Sequence, residues 1–216
     1  NDDVSHTSLE VAPVADLVDS THASHCLFYG LSGDGTVGAN KNAVKIIGDN
    51  TNLNAQAYFS YSSVKAGGVT ESHLRFGPQQ IEAPYLIRDS MARYIACTFT
   101  RYVEVLDMLS SAKQGATFVL NCPWTTAAEC EANMPDKILR QISHKQIEFY
   151  VIDASRVARE GGLGKLTNNI MQTAFFKLSE VLPFEEAIGY FRDAIKKSYK
   201  KRGDAVVQRN LDTVDQ

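Results

Sequence analysis

Cys26-Leu27-Phe28-Tyr29-Gly30-Leu31-Ser32-Gly33-Asp34-Gly35-Thr36-Val37-Gly38-Ala39-Asn40-Lys41 joins an apolar run to a glycine-rich turn, and the turn to an amphipathic segment. The run from Cys26 to Tyr29 predicts a short strand that stops at Gly30. Val37, Val44 and Ile47 share one helical face, so Val37 to Ile47 predicts a helix that opens directly from the turn. Gly33 to Gly38 spells G-x-G-x-x-G in the strand-then-helix context which that string requires. Glycines let backbone N–H groups approach a phosphate with no Cβ in the way, and the positive end of the helix favours negative charge. Thr36 adds a hydroxyl, while Asn40 and Lys41 sit in the first turn. The alternative is a tight strand-to-helix turn that uses glycine for geometry alone.

The rest of the chain repeats the alternation. Strands are predicted at Ala57–Tyr61, Val69–Phe76, Tyr85–Ile87, Tyr94–Cys97, Ala116–Leu120 and Phe149–Ile152, with helical stretches at Arg101–Leu109 and Pro135–Ser143. Two longer helices follow, Leu166–Leu182 and Phe184–Tyr199, divided by Pro183 at a helix-starting position. The fold class is therefore α/β: a Rossmann-like, doubly wound, mostly parallel sheet with C-terminal helices. Residues 1–24 are polar apart from Val11–Val18 and read as a lead-in, and residues 25–216 as a single domain. The chain starts at Asn1, so it reads as a piece of a larger enzyme that carries part of the chemistry.

An NAD-type fold wants an acidic residue at the end of the second strand to hold the ribose hydroxyls. Here that region is Phe59-Ser60-Tyr61-Ser62-Ser63-Val64-Lys65. Hydroxyls and one ammonium suit a phosphorylated ribose, which points to NADP or coenzyme A and away from NAD. Gly33-Asp34-Gly35 also opens thiamine diphosphate motifs, but Ser60 to Ser63 stand where the following Asn pair belongs, so that reading is rejected for this domain.

Composition narrows the remaining classes. The 216 residues carry 22 Lys and Arg against 25 Asp and Glu, a formal charge of −3, which gives no general attraction to nucleic acid or anionic membrane. No apolar run approaches the roughly 20 residues that span a bilayer. Cys26, Cys97, Cys122 and Cys130 form no C-x-x-C pair and read as buried free thiols, with no metal ligation. His73 and Arg75 alternate on one strand face, where they either bind an anion or carboxylate or remain exposed. His6, His22, His25 and His144 read as solvated. Lys196, Lys197, Lys200, Lys201 and Arg202 read as a solvated helix end, with docking to an acidic partner such as an electron carrier as the alternative. No catalytic triad or metal centre is visible.

Tyr29 to Lys41 resembles the gamma-type (pyruvate/ketoisovalerate oxidoreductase catalytic) domain of the pyruvate:ferredoxin (flavodoxin) oxidoreductases. Lys65-Ala66-Gly67-Gly68-Val69-Thr70, Ser72-His73-Leu74-Arg75-Phe76-Gly77, and Gly162-Leu163-Gly164 leading into Asn169-Ile170-Met171-Gln172-Thr173 are similar too. So are the opening Asp2 to Leu9 and the close Val181 to Ile188, and the resemblance covers about the whole chain. Ser32-Gly33 stands where the family often has Gly-Ser, and Gly161-Gly162 where a charged residue usually precedes a single Gly.

The resemblance implies oxidative decarboxylation of pyruvate to acetyl-CoA and CO2 with reduction of ferredoxin or flavodoxin. Thiamine diphosphate, Mg2+ and [4Fe-4S] clusters would lie in other domains of the full enzyme, expected to be a homodimer, and coenzyme A in this one. Gly33, Asp34, Gly35, Thr36, Val37 and Asn40 would contact the nucleotide or its phosphates, and Lys65 would neutralise phosphate charge. No residue of this domain is expected to be catalytic; its role is positioning. The expected location is cytoplasmic, with a mitochondrion-like organelle left open. The alternatives are a pyruvate:NADP oxidoreductase fusion, a noncatalytic scaffold module like that in a sulfite reductase flavoprotein component, and an independent NADP dehydrogenase.

Overall fold

The computed structural model describes Val4, residues 22–62 and residues 68–215. Residues 1–3 and 5–21 of the lead-in, 63–67 (with Lys65) and 216 lie outside the described residues.

Six strands form one sheet: β1 (Ser24–Leu31), β2 (Asn54–Tyr61), β3 (Val69–Gly77), β4 (Ala92–Cys97), β5 (Ala112–Asn121) and β6 (Glu148–Ile152), in the spatial order β2-β3-β1-β4-β5-β6. β1, β4, β5 and β6 run parallel, while β3 is antiparallel to both β1 and β2. The mostly parallel sheet is thus present, with its antiparallel part confined to β3. A short connection from Tyr61 to Val69 leaves no room for a crossover, so β2 and β3 pair as a hairpin.

Helices cover both faces, as a sheet of near-continuous apolar strands requires. On one face α1 (Thr36–Asn50), α5 (Ala154–Glu160), α6 (Asn168–Leu178) and α7 (Phe184–Tyr199) enclose Phe28, Ile47, Tyr94, Phe175 and Phe191. On the other, α2 (Tyr102–Val105), α3 (Ala127–Asn133) and α4 (Asp136–His144) help to bury Leu27, Ile95, Phe118 and Leu120. α8 (Asp204–Asp212) closes the chain behind α7.

Three sequence expectations change. Tyr85–Ile87 is no strand: residues 78–91 form an irregular strap, and the carbonyls of Tyr85 and Leu86 accept from the Arg75 guanidinium instead of from a sheet neighbour. The Arg101–Leu109 helix shrinks to α2 because Leu106 is extended. His25 is a buried residue of β1 and not a solvated one. The helices α3, α5 and α8 were not anticipated, although Thr126 and Glu129 form a capping box that announces α3.

Candidate nucleotide-binding site

The glycine turn sits at the carboxyl end of β1. From there the chain runs to β2 and β3 on one side, and β4 lies on the other. Open α/β sheets place their ligand crevice at such a switch point. Gly33 has φ +88° and Gly35 φ +90°, conformations that a side chain resists. Gly30 is needed for space: a Cβ there would lie 2.7 Å from Thr36 Cβ and 2.8 Å from Thr70 Oγ1.

Asp34 fixes the turn from inside. Its Oδ1 accepts the Thr36 N–H at 2.8 Å, and its Oδ2 accepts the Leu31 N–H at 2.9 Å and the Thr98 hydroxyl at 2.6 Å. Thr98 follows β4, so one carboxylate ties the turn to the neighbouring strand. Ser32 donates its N–H to the Gly68 carbonyl at 2.9 Å, which binds the turn to the entry of β3. Asp34 also consumes the first amide of α1. Gly35, at the N-cap, has no side chain to cap with, so the amides of Val37 and Gly38 are left for another acceptor. The adjoining thiol of Cys97 is pushed up to about 12, first by burial and further by the charge of Asp34, so it is no nucleophile.

The N-terminus of α6 reaches the same place. A Cβ on Gly35 would lie 3.3 Å from Asn168 Cγ. Asn168 is the first residue of α6, and its N-cap, Thr167, makes no side-chain cap bond. Two helix N-termini therefore meet at Gly35 and Asn168, each with partial positive charge. Beneath them Thr36 and Asn40 are buried, and Val37 is half-buried. Asn40 Nδ2, Asn168 Oδ1 and Gln172 Nε2 have no hydrogen-bond partner and surround a cavity of about 20 Å³. Its size and polarity suit one water molecule. Outward from it, a cleft of about 390 Å³ between α1, α6 and the end of α7 is lined by Lys41, Lys45, Asn168, Gln172, Ser198 and Tyr199.

The expected residues thus divide. Gly33, Gly35 and Val37 form the exposed or half-buried turn, Asp34 and Thr36 brace it, and Asn40 faces the small cavity. Lys65 lies outside the described residues. Asn168 and Gln172 had no signal beyond the quoted Asn169-to-Thr173 stretch, because only tertiary packing brings α6 to the turn.

His73 and Arg75 form a separate structure, and both are buried. Arg75 is 1% exposed and donates to Gln56 Oε1, Tyr85 O and Leu86 O, each at 2.9 Å. His73 Nδ1 accepts the Ile87 N–H at 3.1 Å, and its Nε2 lies 3.6 Å from a Glu71 carboxylate oxygen. Among the described residues no group of three or more His, Cys, Asp or Glu side chains is placed to hold a metal ion, and all four cysteines are buried and free. No described helix is long and apolar enough to cross a membrane.

Fold and site together define an α/β domain of mostly parallel sheet whose glycine turn lies at the switch point of the sheet. Residues 25–216 match the family model of pyruvate ferredoxin/flavodoxin oxidoreductase, and the chain belongs to that family. It is 49% identical over 216 residues to a pyruvate dehydrogenase [NADP(+)] of Cryptosporidium parvum, and 49% identical over 214 residues to the pyruvate:ferredoxin oxidoreductase of Moorella thermoacetica. It spans 100% and 99% of itself in these matches, but only 11% and 18% of those proteins. Among solved structures it is similar to the pyruvate oxidoreductase subunit PORC of Thermotoga maritima, with a TM-score of 0.66 and 12% identity over 89% of this chain and 93% of that one. It is also similar to a 2-oxoglutarate:ferredoxin oxidoreductase from Magnetococcus marinus, solved with 2-oxoglutarate, coenzyme A and succinyl-CoA bound. The TM-score there is 0.64 at 16% identity, over 89% of this chain and 30% of that one.

Proposed function

We propose that this chain is the coenzyme A-binding domain of a multidomain pyruvate oxidoreductase. The observation that carries the reading is the meeting of the α1 and α6 N-termini at Gly35 and Asn168, which offers backbone amides and positive helix ends to one phosphate-bearing ligand. Gly33, Gly35 and Val37 contact its phosphates. Asp34 and Thr36 hold the turn in register beneath, Asn40 faces the small cavity, and Lys65 supplies a point charge. The Lys41 and Lys45 wall of the adjoining cleft adds positive potential.

The domain supplies binding and orientation: holding a thiol close to an acyl group raises its effective concentration without any proton transfer by this chain. In this reading thiamine diphosphate, Mg2+ and [4Fe-4S] clusters belong to other domains of the full enzyme. The electron acceptor is ferredoxin or flavodoxin, with a fused NADP reductase as the second reading. That second reading is favoured by the Cryptosporidium relative and by one from Euglena gracilis, 46% identical and named a mitochondrial pyruvate dehydrogenase [NADP(+)].

Calorimetric titration of the full-length enzyme with coenzyme A, dephospho-coenzyme A and NADP tests the proposal. Coenzyme A is expected to bind, more weakly without its 3′-phosphate, and Lys65→Ala is expected to cost roughly 1.5–3 kcal/mol, as for other hydrogen bonds to charged groups. A loss below about 0.5 kcal/mol would remove Lys65 from the site. Gly35→Val, strained at φ +90° and crowded by Asn168, should abolish the binding. Coenzyme A affinity unchanged by Gly35→Val would overturn the site, and no coenzyme A binding at all would leave the scaffold reading.

A further inference from the structure

β2 ends the sheet and pairs with β3 alone, so one side of its backbone has no sheet neighbour among the described residues. Natural edge strands are protected from pairing by charge, proline, a bulge or shortness. β2 has none of the first two: Asn54–Tyr61 reads NAQAYFSY over eight residues. The opposite edge differs, since β6 has five residues and begins with Glu148.

The same edge gathers exposed apolar surface. Of the eight large hydrophobic side chains exposed among the described residues, three gather on the strap side of this edge, Tyr58 at 36%, Tyr85 at 65% and Leu86 at 52%, while Tyr61 projects from the opposite face of β2. Tyr58 and Tyr85 stack with ring centres 5.2 Å apart and planes at 23°. The strap that carries Tyr85 and Leu86 is not loosely laid. Arg75 holds two of its carbonyls, His73 its Ile87 amide, and Gln56 Nε2 the Ala83 carbonyl at 3.2 Å. A buried cation is thus committed to presenting two exposed apolar side chains, an arrangement that gains nothing while they face water. Long irregular loops fixed in this way are usually functional.

We infer that the Tyr58 side of β2, with Tyr85 and Leu86 of the strap, is an interdomain docking surface, occupied by an apolar surface of a neighbouring domain of the same polypeptide. The occupant follows from the amount of chain to be placed: a unit of this kind makes up 11% to 18% of the relatives it matches, and their remaining domains must pack around it. Tyrosine suits that contact because its ring buries apolar area while its hydroxyl tolerates a wet rim. The surface lies on the far side of β3 from the glycine turn, so the inference stands whether or not coenzyme A binds there.

Hydroxyl-radical footprinting and amide exchange on the full-length enzyme test it without any substitution. Tyr58 and Tyr85 should be oxidised at under about a tenth of the rate seen after unfolding in urea, and β2 amides should exchange about 100-fold or more slower than in an unstructured chain. Oxidation of Tyr58 and Tyr85 at the unfolded rate would overturn the proposal. So would protection that vanishes on dilution of the enzyme to monomer, because the cover would then be a second copy and not a neighbouring domain.

Discussion

Asp34 shows how one side chain can shape a turn from the inside. Its carboxylate accepts three hydrogen bonds from Leu31, Thr36 and Thr98, and these hold the turn in the shape that leaves the later amides of α1 available. Asp34→Ala removes the acceptor and leaves two backbone donors beside it. Such a change should lower stability by about 1–3 kcal/mol and weaken coenzyme A binding in parallel, read from the urea midpoint and from calorimetry. Gly30 makes the complementary case. Gly30→Ala drives a Cβ into Thr36 and Thr70 at under 3 Å and should cost roughly 1–3 kcal/mol of stability. Gly48, late in the same helix, has nothing within 4 Å, so Gly48→Ala should instead stabilise by about 0.5–1 kcal/mol. Equal effects at the two positions would show that sterics do not decide at Gly30.

At the scale of elements, the middle of the strap between β3 and β4 is held by side chains, while its end at Ser90 and Met91 is held by backbone bonds to Ser110 and Ser111. Arg75 has no acid within its hydrogen bonds: it meets an amide oxygen and two backbone carbonyls, and burial pushes its pKa below the ordinary arginine value. Arg75→Met should leave those acceptors unpaired and free the strap, so that trypsin cleaves after Arg88 at least about tenfold faster under native conditions. Cleavage at the wild-type rate would mean that the buried Ile87, with the His73 and Gln56 bonds, anchors the strap without Arg75. This contact also marks where sequence reading stops. The strand, turn and helix from Cys26 to Ile47 were legible because composition and period agree locally, and so were the strands at Val69, Tyr94, Ala116 and Phe149. Tyr85-Leu86-Ile87 has strand composition, yet the partner that overrides it is ten residues away, on another strand. The approach of Asn168 to Gly35 joins elements more than a hundred residues apart. Local patterns carry no trace of either contact.

Across the whole molecule, the sheet divides the core in two, and its central strands bury titratable groups on both sides. Burial pushes the Cys26 and Cys97 thiols up to about 12 and Cys122 up to about 11, against 9.0 for a solvated thiol. An unfolded chain gives up these protons near pH 9 while the folded one keeps them, so folding is coupled to proton retention above that point. The stability is therefore fully present below pH 9 and is lost as pH rises from 9 towards 11 and 12. Cys26 and Cys97, the more deeply enclosed pair, should each withdraw about 1 kcal/mol between pH 8 and pH 10. Urea denaturation of this chain across that interval should show a falling midpoint, and Cys26→Ala or Cys97→Ala should flatten the fall even though each starts from a less stable protein. Native thiols should resist alkylation at pH 8 and react on unfolding. A midpoint that stays level to pH 10 would mean that the thiols reach solvent, and with it that the sheet beneath the glycine turn opens more readily than its packing allows.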